Sequence, residues 1–208
     1  MVFELYAAIT SLIALIFIFT FHNYFKALTA YKLGDDTPVR AGFLTINPLP
    51  HIDPVGTVFL PLIFILLKSP LLIGWPRIVP IDYYKFSDPK KGAIIISLVS
   101  IASYFIIGLI TLFLYKVLMF LHLPQTVTTP IGILLQFATL VSFFFGFINL
   151  LPIPPMDMGI LLLLLMGKSI EEAQSYALFG SILILLLFIS GIFGALFSPL
   201  YNFILSLF

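Results

Sequence analysis

Near the start of the chain, the residues whose types and spacing could do chemistry are His22, Asn23 and Lys26, in the stretch Phe21-His22-Asn23-Tyr24-Phe25-Lys26. On a helix, two His four residues apart share a face and hold Zn²⁺, and a Glu directly after the first acts as general base toward a metal-bound water. Only the first of these positions is kept. Asn23 stands at the base position, where an amide accepts no proton at neutral pH. Lys26 stands at the second ligand position, where an ammonium repels a metal cation. Taken alone, the string is equally a helix end carrying one His and one Lys that reaches for the interface.

The elements that would have to position these residues belong to a membrane protein. Of 208 residues, 61% are hydrophobic and 9% charged, with a mean hydropathy of +1.18, too apolar for a soluble domain. The formal net charge of +1 and the lack of a basic run give no footing for a nucleic-acid partner. Without cysteine, disulfides and thiolate metal sites are excluded. Residues 1–21 lack a basic leader and a small-residue cleavage site and carry Glu4, so they read as a retained span rather than a signal peptide.

Spanning helices are expected over residues 3–27, 92–121, 131–151 and 173–197, with a short helix over 158–166 and Pro199 marking off the end of the chain. The polar, Pro- and Gly-broken segments between them suit short strands at 40–47 and 77–81. The stretch 55–73 has only 13 strongly apolar residues before Lys68 and contains Pro61, so it is marginal for a crossing. No internal repeat of the transporter kind is present.

Two further stretches sharpen the reading: Asn47-Pro48-Leu49-Pro50-His51-Ile52-Asp53-Pro54-Val55-Gly56-Thr57, preceded by Tyr31 to Asp35 and Arg40 to Gly42, and Asn149 to Gly159, which contains Pro152 and Asp157. With the helix around His22, they resemble the site-2 protease family of intramembrane zinc metalloproteases in its short bacterial form. The likeness runs from about residue 15 to 160 in matching order, and it implies an all-α polytopic membrane fold with a re-entrant segment and short strands in cytoplasmic loops. It implies that His22 and Asp157 occupy metal-ligand positions, with Lys26 replacing the third ligand. Asn149, His51, Asp53 and Asn47 then line the site. The departures fall at the chemistry: Asn23, Lys26, Met158 where the family has Gly, and Ser100 to Tyr104 where it reads G-P-x-x-N. A catalytic zinc takes three protein ligands and a water, and two stand at the expected positions here.

Topology decides whether these residues meet. If 55–73 crosses fully, Asp157 ends on the side opposite His22 and Lys26. If it dips in and returns, Asp157 comes back to their side. The second choice also gathers Lys26, Lys32, Arg40, Lys68, Arg77, Lys85, Lys90, Lys91 and Lys168 on that side and leaves Lys116 on the other, nine of ten basic residues together. By the positive-inside rule that side is cytoplasmic. Lys26 is then expected to pair with Asp157, its ammonium standing in for the metal as counter-charge, since an unpaired charge at membrane depth costs about 2.5–3.5 kcal/mol. Two plainer roles stay open: Asp157 as the cap of the helix that follows it, and Lys26 reaching lipid phosphates. A metal site rebuilt from His22, His51 and Asp157 is a further alternative.

The expectation is therefore a non-catalytic site-2 protease homologue of the bacterial cytoplasmic membrane, with no cofactor. Its partners would be the lipid bilayer and either transmembrane segments of client proteins or an active homologue. The alternative is an active intramembrane zinc metalloprotease with an unorthodox ligand set.

Overall fold

The computed structural model describes residues 2–66 and 74–208. Its frame is α1 (Val2–Lys32), α4 (Pro89–Phe120) and α5 (Gln125–Asn149), three helices long and apolar enough to cross a membrane. At 1.5 Å per residue, the 32 residues of α4 extend about 48 Å, more than the ~30 Å of hydrocarbon. A fourth such stretch, Ile170–Ile189, is made of α7 (Ile170–Ser175) and α8 (Ala177–Ile189). Among the described residues the protein is helical with no strand, an all-α polytopic membrane fold.

Lipid is as apolar as leucine, so these helices are held by close fit and by hydrogen bonds rather than by hiding hydrocarbon from water. Where α1, α4 and α5 meet, Ala14, Leu15, Ile18 and Phe19 pack on Tyr104, Ile107 and Ala138. Along the α4–α5 seam, rings fill the room that glycines leave: Phe143 lies over Gly108 and Phe105 over Gly146, each within 3.1 Å of where a Cβ would stand. Thr111 and Thr139 share a buried hydroxyl contact of 2.9 Å, and Gln136 Nε2 donates to the Tyr115 hydroxyl at 3.0 Å. α5 begins before the expected position 131, and Pro130, its sixth residue, lies inside the helix, an interior proline of the kind membrane helices accommodate.

The stretch after Asp53 folds back on itself. A π-helical turn over Pro54–Phe59 leads into α3 (Leu60–Leu66). On the return, Trp75 N–H donates to the Gly56 carbonyl at 3.2 Å and Thr57 Oγ1 donates to the Trp75 carbonyl at 2.8 Å. The chain on either side of the undescribed stretch thus meets at Thr57 and Trp75. Lys68 and the rest of the expected segment to residue 73 lie outside the described residues.

Three expectations need correction. No strand forms over 40–47: α2 (Thr37–Arg40) occupies its start, with Pro38 in the first turn of the helix, and turns through Gly42 (φ 79°) follow. Residues 77–81 are extended, but their backbone partners are a loop carbonyl and a side-chain amide, so no ladder exists. The helix expected over 173–197 is broken at Ser190–Gly191, where Gly191 adopts φ 77° and begins α9 (Ile192–Leu205). Pro199 lies inside α9 rather than marking off the end of the chain. Phe193 and Phe197 of α9 meet Phe144 of α5, and Phe208 reaches Tyr115.

Candidate functional site

Helical spacing gives α1 two working faces at its inner end. His22 and Lys26, four apart, share one; Asn23, Ala27 and Ala30 form the next. The first face looks at α4, where Ser100, Ser103 and Tyr104 are buried, and at the start of α6 (Asp157–Leu165). α6 runs back along α4, with Leu164 packed on Ala93. The chain just before Asp157 is clasped between two glycines. A Cβ on Gly159 would overlap Ile153 and Pro154, and one on Gly180 of α8 would overlap the Pro154 carbonyl oxygen. That clasp sets where Asp157 stands.

Asp157 stands between α1 and α4. Lys26 Nζ lies 3.7 Å from its Oδ1, and Ser100 donates to its Oδ2 at 2.5 Å. The two charged side chains are 22% and 17% exposed, so the pair is screened only partly by solvent. Asp157 makes no side-chain cap for α6, which starts at Asp157 itself with Met156 as N-cap. Beside this pair, His22 stacks on Tyr104 with ring centroids 4.0 Å apart. Ser103 gives its hydroxyl hydrogen to the Ser100 carbonyl at 2.7 Å, so at the 2.8 Å contact His22 Nδ1–H is the donor. In the neutral ring this leaves the lone pair on Nε2.

Asn23 is 2% exposed, and its Nδ2 donates to the Arg77 carbonyl at 2.7 Å. The base position thus carries a donor already engaged by the backbone of the extended segment. Tyr83, near the entrance to α4, is pushed up to about 12, first by burial and then by the negative charge of Asp157.

Other sequence candidates serve the loops. Asn47 Oδ1 accepts from Leu49 N at 3.2 Å, and Asp53 Oδ1 accepts from Val55 N and Gly56 N at 3.0 and 2.6 Å, capping the π-helical turn. His51 is 1% exposed, its ring edge-on to Phe43, with Nε2 bonded to the Thr45 carbonyl at 2.9 Å. Burial lowers its pKa, against an opposing contribution from Thr45, and its Nδ1 has no hydrogen-bond partner among the described residues. Asn149 turns back on its own helix, Nδ2 donating to the Phe145 carbonyl at 2.9 Å. His122 sits in the turn between α4 and α5 at φ 48°.

A resident catalytic zinc does not fit these side chains. Among the described residues no three His, Cys, Asp or Glu gather as a metal would need. His22 and Asp157 stand near one another's helices, but the carboxylate is already engaged by an ammonium and a hydroxyl. Reading the sequence missed the parts of Ser100 and Ser103. They stand where the family reads G-P-x-x-N, a place marked only as a loss, yet they hold Asp157 and orient His22. It also missed Gly180, whose closeness to Pro154 has no local signal.

Fold and constellation define a polytopic membrane protein with a buried polar cluster where α1, α4 and α6 meet. The chain is 31% identical over 199 residues to the protein of Bacillus subtilis (strain 168) named "Putative zinc metalloprotease YwhC", an overlap of 91% of this chain and 84% of that one. It belongs to the site-2 protease family. No family model and no solved structure matches it.

Proposed function

We propose that this chain is a non-catalytic member of its family, a membrane pseudoprotease that binds transmembrane segments of client proteins or a partner such as an active homologue. The observation that carries this reading is the Lys26 ammonium 3.7 Å from the Asp157 carboxylate, a fixed cation where the family resemblance implies a metal. Asn23 supports it. Its amide cannot take a proton from water, and its donor group is already bonded to the Arg77 carbonyl. A general base contributes roughly 10² to 10⁴ in rate, so losing it together with a ligand removes two components of the chemistry at once.

A binding role draws on what remains. Along the extended segment, Trp75 and Arg77 direct their backbone groups inward to Gly56, His51 and Asn23. Ile78, 86% exposed, has backbone groups with no hydrogen-bond partner among the described residues, and Pro76 and Pro80 flank it. Such an edge accepts one extended client segment by main-chain pairing. The gathering of basic residues favours a cytoplasmic location for this side, in a bacterial cytoplasmic membrane.

The competing reading is an active zinc metalloprotease with an unusual ligand set. It has the name of the B. subtilis relative in its favour, together with the unpartnered Nδ1 of His51. Against it, the other ring nitrogen of His51 bonds to a neighbouring loop carbonyl, and no three donors converge among the described residues.

Elemental analysis of purified protein prepared without chelator, alongside an Asn23→Glu, Lys26→His double variant, separates the two. The expected result is zinc in the double variant alone. Stoichiometric zinc in the unaltered chain would overturn the pseudoprotease reading and make His51→Ala the next variant to measure.

A further inference from the structure

The side chain at the former base position has a second consequence, which concerns the extended segment itself. Residues 75–81 run as a strap along the Asn23, Ala27 and Ala30 face of α1. Val79 packs on Ala27 and Phe43, and Ile81 packs against the clusters built on Ala27 and Ala30. The strap is fastened along its inner edge at alternate residues. Trp75 is held through both backbone groups by Gly56 and Thr57, and Arg77 N–H donates to the His51 carbonyl at 3.0 Å. Among the described residues the Arg77 carbonyl has one partner, the Nδ2 of Asn23.

This fastening demands a donor at position 23. An ionised carboxylate there would put an acceptor against a carbonyl oxygen at a separation of 2.7 Å, where the two repel. We propose that Asn23 is the latch of the strap: its amide holds residues 75–81 closed on α1, and a donor-free side chain of the same size releases them. An ionised acid at position 23 therefore works against the closed strap. The state of this edge, and with it access for an extended partner, is therefore set by the residue next to His22. The inference rests on the hydrogen bond alone and stands whether or not the chain binds zinc.

Trp75 is the chain's single tryptophan, it lies in the strap, and it is 46% exposed with its ring pressed on Gly56. Its fluorescence therefore reports the strap directly. The experiment compares acrylamide quenching of Trp75, and hydrogen exchange of the Arg77 amide, in detergent-solubilised wild type, Asn23→Asp and Asn23→Ala at pH 7.5, with helical content checked by circular dichroism. Asn23→Asp keeps the shape and loses the donor; Asn23→Ala leaves the carbonyl bare without repulsion. Expected is Arg77 amide exchange faster by about tenfold in Asn23→Asp and by less in Asn23→Ala, as for loss of one buried hydrogen bond, with Trp75 more readily quenched in both. Wild-type quenching and exchange in folded Asn23→Asp would overturn the latch. If that variant does not fold, wild-type values in Asn23→Ala would do so equally. Zinc content is a separate reading, so the latch and the pseudoprotease assignment fail independently.

Discussion

Removing Lys26 tests whether its ammonium holds α1 to α6. At 3.7 Å and an effective dielectric constant of about 20, two unit charges attract by about 4.5 kcal/mol. Desolvation of both groups and the ordering of a long side chain offset most of that, so a net coupling of about 1–2 kcal/mol is expected. Lys26→Met should cost more than the coupling, about 2–3 kcal/mol, because Asp157 keeps its charge and is left with the Ser100 hydroxyl alone. Asp157→Asn in the Lys26→Met background should then recover part of the loss. The assay is reversible unfolding in detergent of wild type, both single variants and the double variant, read as a double-mutant cycle. Additive single effects, with a coupling below about 0.5 kcal/mol, would refute the reasoning and leave Lys26 to the lipid phosphates.

Gly180→Ala should lower the unfolding free energy by about 1–3 kcal/mol, because its Cβ overlaps the Pro154 carbonyl oxygen and α8 must shift; a melting temperature within error of wild type would mean that α8 does not press on the 153–154 segment. The clip between α2 and the entrance to α4 sets a pH window. Asp35 is fully buried, and against the burial that raises its pKa, hydrogen bonds from Thr37, the Asp82 amide and Lys85 hold it below the ordinary carboxylate value. Asp36 is held at about 2, first by its hydrogen bond from Lys85 and then by that from Arg40, and Lys85 is raised, chiefly by Asp36. Depressed carboxylates stabilise above their unfolded pKa and lose that contribution as pH falls from about 4 toward 2. The raised Lys85 contributes fully below about 10.4 and is lost only as pH climbs past its folded value. Melting temperature should therefore show no contribution from this clip to its pH dependence across neutrality, and it should fall less steeply below pH 4 in Asp36→Asn than in wild type. Equal acid slopes in the two would remove the clip.

What could be read in the sequence was what local chemistry dictates. Long apolar runs gave three helices near their observed positions. The order of Pro, Gly, Asn and Asp around His51 and Asp157 carried the family likeness. What could not be read depends on contacts between distant segments. Residues 77–81 have the β-branched composition of a strand, and they are extended. Their partners, however, are the His51 carbonyl and the amide of Asn23, and no composition rule distinguishes a strap from a strand in a sheet. The break at Gly191 was hidden because the sequence on both sides is uniformly apolar, and in lipid one glycine in such a run is as compatible with a continuous helix as with a turn. Ser100 and Ser103 looked like losses because they were compared with the residues they replace rather than with Asp157 and His22, the groups they face.

Those two serines bear on how the proposed pseudoprotease would keep this architecture at its centre. A carboxylate held at the junction of α1, α4 and α6 needs a counter-charge and hydrogen-bond donors, whatever their source. Lys26 supplies the charge from a position where one more ligand would stand, and Ser100 supplies a donor from the adjacent helix. Ser103 then takes the Nδ1–H of His22, so the ring stays stacked on Tyr104 with its orientation set from behind. Lys26, Ser100 and Ser103 thus link α1, α4 and α6 through side-chain contacts. The cost falls on chemistry. A cation fixed to α1 cannot polarise a carbonyl as a Lewis acid or turn water into a nucleophile near neutral pH, and the amide at position 23 donates to the Arg77 carbonyl. On the proposed pseudoprotease reading, the residues that hold this fold together at its centre are the ones that stand in the way of hydrolysis there.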